Sequence, residues 1–375
     1  MENAVRKLSG AGVSVWVDAE GEVSAPDGER TPDTGRLLRL LDESGATGVR
    51  LGPDGPRRPG AVRELCERLA PAHRASGGRD GLVSVPVEVG ADTDVPALVA
   101  RARALRSAVD RPNLVVRLSG SPGLPAAVTG CLAEGIGVEA AGLHSPRQYA
   151  EVAHAVMDGL ERCLDAGRGR GEGVPGGPVS LLAFGVADVD ERVDSRLDLI
   201  GSDEAKALRG RAGLAAARLA HQTHDMTFGS ARWGALAAAG VPEPRPLWVT
   251  AARTASRSAC YAEELVTRGT VSALRPPALR LLGARGVSGA DLVCRHYPDA
   301  ARTRDYLRWF GICLDDVAGC LTRAAHTKEA HPRTTHTKTA HTKTAQPKAV
   351  RVRRDASAAR AGRDGAARGR PGVAA

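Results

Sequence analysis

Two rhythms of apolar and polar positions alternate along the chain. Runs that are apolar at most positions occur at 13–18 (VSVWVD), 48–52 (GVRLG), 82–89 (LVSVPVEV), 114–119, 136–142, 179–186, 246–252 and 270–275. Strands apolar on both faces belong in parallel sheets covered on both sides. Helical periodicity fills the gaps. The clearest predicted helix spans 146–166, with Ser145 as N-cap, Pro146 at the first position and Gln148 completing a capping box. Tyr149, Val152, Ala153, Val156, Met157, Leu160 and Leu164 then share one face. Another helix opens at Ser202, with Asp203 and Glu204 in its first turn. Further helices fit 33–44, 60–74, 94–109, 123–133, 258–268 and 299–310, and 167–178 reads as a disordered loop. Eight strands alternating with helices predict an α/β fold, a single (β/α)8 barrel rather than a doubly wound sheet.

Charge changes the picture at one end only. The chain has 375 residues and a formal charge of +9, and residues 326–375 hold twelve Lys and Arg against three acids. The body, 1–325, is therefore neutral, which excludes a protein that coats nucleic acid with its whole surface. The tail opens in pentads (HTKEA, HPRTT, HTKTA, HTKTA, QPKAV), placing His326, His331, His336 and His341 five residues apart. That step aligns them on neither a helix nor a strand, so no metal cluster is expected. The tail has no aromatic residue to stack on bases. It is expected to be disordered, with non-specific polyanion contact as its one candidate role.

Composition narrows the rest. No run of 18 apolar residues is present, and Met1 to Gly10 lacks the apolar core of a signal peptide, so a cytoplasmic protein without a membrane span is expected. The seven cysteines are scattered without a CxxC, which suits buried free thiols. His221 and His224 lie three apart on a predicted helix but lack an evident third ligand, and read as solvated. Gly283, Gly286 and Gly289 follow no strand and make no phosphate loop. No metal or other cofactor is expected. Of six lysines only Lys7 and Lys206 fall in the body, and neither closes a predicted strand.

Several stretches resemble one family. RVDSRLDLIGSDEAKALRGRAGLAAARL (192–219) is the most specific; GVSVWVD (12–18), VDRPN (109–113), GLPA (123–126), RPLW (245–248), YAEELV (261–266) and FGICLDDV (310–317) follow the same order. They are similar to transaldolase of the actinobacterial type, across nearly all of 5–322. The resemblance implies a (β/α)8 barrel that transfers a dihydroxyacetone unit between sugar phosphates through a lysine Schiff base, in the pentose phosphate pathway.

Carried over position by position, the resemblance keeps little of that site. The first-strand aspartate is retained as Asp18, a catalytic carboxylate or a structural acceptor. The Schiff-base lysine position holds Arg117, whose guanidinium stays protonated and cannot attack a carbonyl. The acid/base glutamate position holds Pro86; Glu88, of the same strand parity, is the nearest carboxylate that could face inward. The T-T-N-P motif becomes Arg50-Leu51-Gly52-Pro53, with Gly52 for the asparagine. The fifth-strand asparagine and threonine become Glu139 and Ala141, and the serine and phosphate-binding arginine after the sixth strand become Ala183 and Asp188. A carboxylate about 4 Å from a phosphate charge at an effective dielectric of about 20 repels it by roughly 4 kcal/mol. Arg253 is either a compensating phosphate contact or a solvated loop residue. Arg117 and Glu139, on neighbouring strands, predict a buried ion pair, or else Arg117 meets an acidic ligand.

Three functional readings follow. One is a degenerate member without Schiff-base chemistry, a pseudoenzyme or a binding and regulatory barrel for a sugar phosphate or other small anion. The second is an active transaldolase with a rearranged site, and the third is a polyanion binder acting through its tail.

Overall fold

A computed structural model describes residues 2–20, 34–53, 55, 58–88, 94–119, 123–169, 177–285 and 289–330. Eight parallel strands close into a barrel in chain order: β1 (Ser14–Asp18), β2 (Gly48–Arg50), β3 (Leu82–Pro86), β4 (Leu114–Leu118), β5 (Val138–Leu143), β6 (Ser180–Gly185), β7 (Arg245–Val249) and β8 (Val271–Leu274). Each strand lies within one of the apolar runs or one residue beyond it. β8 returns to β1 with Val271 opposite Ser14, so no edge remains unpaired.

Helices wrap the barrel: α1 (Glu2–Gly10), α2 (Thr34–Ser44), α3 (Pro59–Ala75), α4 (Val95–Val109), α5 (Leu124–Ala133), α6 (Pro146–Gly169) and α7 (Val186–Ile200). There follow α8 (Asp203–Ala207), α9 (Ala212–Phe228), α10 (Ala231–Ala238), α11 (Ala255–Glu264), α12 (Pro276–Arg285), α13 (Tyr297–Trp309) and α14 (Leu314–Ala330). Ser145 caps α6 by accepting from Gln148 N–H at 3.3 Å, while the Gln148 side-chain Oε1 accepts from His144 N–H at 3.0 Å, one residue short of a capping box. Ser202 caps only the five-residue α8, after which the chain turns before α9 begins. α6 continues through Gly169 into the stretch read as a loop; residues 170–176 lie outside the described residues. α14 crosses the predicted 325/326 boundary and makes the first pentad helical. Gln148 Nε2 donates to Thr322 Oγ1 at 3.0 Å and ties this helix to α6. The remaining pentads, with His331, His336 and His341, lie outside the described residues. No helix among the described residues is long and apolar enough to cross a membrane.

Strand alternation divides the core. One set of buried side chains faces the helices; the other (Trp16, Leu82, Val115, Ala141, Leu181, Ala183, Leu247, Val271, Ala273) fills the lumen. Beneath this apolar layer Arg245 closes the N-terminal end. It donates to Ser14 Oγ at 2.6 Å and to the carbonyls of Arg79, Gly269 and Thr270. Trp16 occupies the middle of the lumen, fully buried. Burying an indole removes roughly 200 Å² from water, worth about 5 kcal/mol, and exceeds the 1–3 kcal/mol cost of leaving its N–H unpaired. The indole fits because β2 opens with Gly48, where an added Cβ would come 2.5 Å from the ring. Gly48→Ala is therefore expected to cost about 1–3 kcal/mol by overpacking, read as a lower urea midpoint at unchanged slope.

The thiols are free, as expected, though only Cys66, Cys131 and Cys163 are buried; Cys294 is exposed. Burial pushes Cys66 and Cys131 up to about 12, so both are inert.

Candidate functional site

The charged layer lies above Trp16, at the C-terminal end of the strands. Asp18 and Arg50 close β1 and β2 side by side, Pro86 closes β3 opposite Arg117, and Arg117 lies opposite Glu139. Asp18 and Glu139 are 0% exposed, and Arg50 and Arg117 are nearly so. Charges so placed must be paired or pay for desolvation.

Arg50 organises the layer. Its Nε donates to Glu139 Oε1 at 2.8 Å across the lumen from β2 to β5. Its Nη1 donates to Glu20 Oε2 at 2.7 Å and reaches Asp18 Oδ1 at 3.4 Å. Ser84 Oγ donates to the other oxygen of Glu139. Burial alone would loosen the Arg50 proton, but Glu139, Asp18 and Glu20 outweigh it and hold the guanidinium well above its ordinary range. Burial raises the Asp18 carboxyl, with Arg50 opposing. Glu20 is lowered, because Arg50 and Arg117 overcome its burial.

The expected Arg117–Glu139 ion pair is not what forms: Glu139 is held by Arg50 instead. The fork of Arg50 reaches three carboxylates from one position, whereas Arg117 Nη2 turns to the Leu51 carbonyl. Burial, then the like charge of Arg50, lowers Arg117. A guanidinium lowered in this way still stays charged. Three buried polar atoms here find no partner among the described residues: Arg117 Nη1, Asp18 Oδ2 and Arg275 Nε just beyond β8. Arg275 acts electrostatically on Glu20 and so belongs to the same group. Arg50 was legible as part of a motif but not as the hub; an arginine inside the apolar run GVRLG was the available signal.

The other positions scatter. Gly52 lies in the turn after β2, its carbonyl accepting from Gly55 N–H. Ala141 and Ala183 line the apolar lumen. Asp188 stands in the first turn of α7 with its side chain 58% exposed, 3.4 Å from His144 Nε2. Solvent screening at such a carboxylate reduces the expected phosphate repulsion to about 1 kcal/mol. Arg253 is exposed between β7 and α11, as a solvated loop residue would be. Glu88 is exposed beyond the end of β3. Lys7 lies exposed on α1, and Lys206 on α8 pairs with Asp203 at 3.4 Å. Neither stands on a barrel strand. His221 and His224 are buried rather than solvated, because α9 turns this face inward. His221 Nδ1 meets the Tyr297 hydroxyl at 2.7 Å and His224 Nδ1 meets the Tyr149 hydroxyl at 3.0 Å. Burial, reinforced by His221, lowers His224 to about 3 and keeps it neutral.

Comparison with known proteins supplies the context for this geometry. Residues 60–284 match the family model described as Transaldolase/Fructose-6-phosphate aldolase. The chain is 35% identical over 356 residues to a transaldolase of Acidothermus cellulolyticus, covering 86% of this chain and 92% of that one. It is 34% identical to a transaldolase of Frankia alni (84% and 91% covered) and 34% identical to one of Thermobifida fusca (86% and 93%).

Proposed function

The chain belongs to the transaldolase family, and we propose that this member has left the family's covalent chemistry and uses its barrel mouth to bind a small anion. One observation carries the reading. The end of β4, which the resemblance assigns to the Schiff-base lysine, holds Arg117, buried, with no partner for Nη1 among the described residues. An imine needs a nitrogen that can lose its proton and attack a carbonyl carbon; guanidinium does neither at neutral pH. The neighbouring strand end, where acid/base work would be done, is Pro86, which has no proton to move.

What remains suits recognition. Arg117 Nη1 and Arg275 Nε need acceptors, and Asp18 Oδ2 needs a donor or a proton of its own. An unpaired buried group costs about 1–3 kcal/mol, so a ligand that satisfies these groups regains that energy on binding. A small hydroxylated anion has the matching groups, an anionic end for the arginines and a hydroxyl for Asp18. The pseudoenzyme acts by binding, with a sugar phosphate or a hydroxy acid as the ligand class. Lys206, exposed and paired with Asp203 on a helix, gives the rearranged-site alternative no support.

The test is borohydride trapping with fructose 6-phosphate, read by intact mass. No adduct and no transfer to erythrose 4-phosphate are expected; a covalent adduct on the protein would sink the proposal.

A further inference from the structure

Away from the barrel mouth, donor side chains of three kinds meet where α9 faces the start of α13. His221 and Asp225 lie one turn apart on α9, with Nδ1 and Oδ2 3.4 Å from each other. Cys294 opens the short turn that leads into α13, and its sulfur joins them within 4.8 Å. The Tyr297 hydroxyl lies among all three, 2.7 Å from the histidine nitrogen, 2.6 Å from the aspartate oxygen and 3.6 Å from the sulfur.

We propose that His221, Asp225 and Cys294 form a binding site for a zinc-like divalent cation, which enters by displacing the Tyr297 hydroxyl. The spacing is the first reason. A tetrahedral ion with bonds of about 2.0–2.1 Å to nitrogen and oxygen holds its donors about 3.3 Å apart, close to the 3.4 Å between His221 and Asp225. The donor set is the second: one imidazole, one carboxylate and one thiolate suit zinc or cobalt, whereas magnesium and calcium take oxygen ligands. The third is organisation before binding. The His221 ring is buried against Trp248 and His224, at centroid distances of 6.2 and 5.8 Å. Asp291 Oδ1 accepts from the backbone N–H groups of Val293 and Cys294 at 2.8 and 3.0 Å, and Thr267 Oγ1 donates to Asp291 Oδ2 at 3.1 Å. The turn that carries the sulfur is thereby fixed.

The hydroxyl of Tyr297 acts as a placeholder. It holds the three donors toward one centre, about 0.6 Å further from nitrogen and oxygen than a bound ion would be. Asp225 is half exposed and Cys294 exposed, so an ion and a completing water have a path in. Cysteine coordinates as thiolate and its proton passes to solvent, which leaves the doubly charged ion neutralised by thiolate and carboxylate. The bound ion joins α9 to the segment before α13.

Cobalt(II) titrated into the full-length chain tests this. One equivalent is expected to give a thiolate-to-metal charge-transfer band that zinc bleaches. The tail histidines supply no thiolate, since no cysteine follows Cys320, and the Cys294→Ser variant separates this site from the other thiols. Cys294→Ser is expected to abolish the band, and Asp225→Asn to weaken cobalt binding by more than about tenfold. Tyr297→Phe is expected to keep the band and bind at least as tightly, because no hydroxyl competes. Absence of the band in the wild type, or its persistence in Cys294→Ser, overturns the site. Loss of the band in folded Tyr297→Phe overturns the displacement.

Discussion

Replacing Glu139 by alanine is expected to destabilise the barrel by about 3–5 kcal/mol, the cost of leaving a buried charge without its partner. Glu139 is fully buried, and it accepts Arg50 Nε at 2.8 Å and the Ser84 hydroxyl. Without it Arg50 keeps, among the described residues, only Glu20, whose side chain is 43% exposed, and the longer contact with Asp18. The surface pair of Arg232 with Glu161 gives the scale: it is also hydrogen bonded, yet both side chains are 40% exposed, and removing it should cost at most about 1 kcal/mol. Urea unfolding of the two alanine variants separates these cases, and a Glu139→Ala cost below 1 kcal/mol would show that water reaches Arg50.

Removing the other partner adds a pH dependence. Burial already raises Asp18 above the ordinary carboxylate range, and Arg50 is the stronger of the two charges that oppose it, with Arg117 the weaker. In Arg50→Met the stronger opposition is gone, so the folded-state pKa rises further while the unfolded value stays put. A raised carboxyl favours the protonated native state. Its stabilisation is complete below the unfolded pKa and is lost as pH rises through the folded value. Arg50→Met should therefore lose stability on going from acid to neutral pH more steeply than the wild type. The combined Arg50→Met, Glu139→Leu variant should recover only part of the Glu139→Ala loss, because Asp18 remains buried with only the weaker opposing charge of Arg117.

This network marks where local sequence reading stops. The eight strands could be read because burial on both faces leaves a local signature, a nearly unbroken apolar run. The Ala-rich α9 was poorly bounded because alanine fills buried and exposed positions alike, which blurs the apolar stripe. The end of α14 shows the opposite failure: the helix runs on into the first pentad, whose composition resembles tail. At the site, Asp18, Arg117 and Glu139 were each identified by position, but the pairing was not. Glu139 had two arginines within reach, one on the neighbouring strand and one across the lumen, 89 residues away in the chain. Strand parity places both inside. The choice depends on which fork can satisfy several carboxylates at once, and only the closed barrel decides it. His221 and His224 were misread for a related reason, since α9 lacked a legible polar face and solvent was assumed on the side that packs against Trp248.

The largest functional change is expected from one atom-level substitution, Arg117→Lys. A lysine there sits in the surroundings that lower Arg117, namely burial and the like charge of Arg50. For guanidinium that lowering leaves the charge in place; for an amine that starts near 10.4 the same causes move it toward neutrality and free the lone pair. The shorter side chain gives up the donor to the Leu51 carbonyl, a cost of about 1–3 kcal/mol that the barrel can bear. Incubated with dihydroxyacetone, a neutral carbonyl that avoids Asp188, the variant should form an imine with loss of water. Borohydride then reduces it to a stable amine, so the variant gains a mass adduct that the wild type lacks. Sugar transfer should stay at a trace level, because carbon–carbon cleavage needs a proton moved and Pro86 cannot move one. Adding Pro86→Glu should raise turnover by about 10²–10⁴, the usual contribution of a positioned acid or base. If a folded Arg117→Lys variant forms no adduct, the end of β4 cannot present a reactive amine and the loss of chemistry reaches beyond Arg117. If the wild type forms one, the reactive nitrogen is elsewhere, and the anion-binding reading of the barrel mouth fails with it.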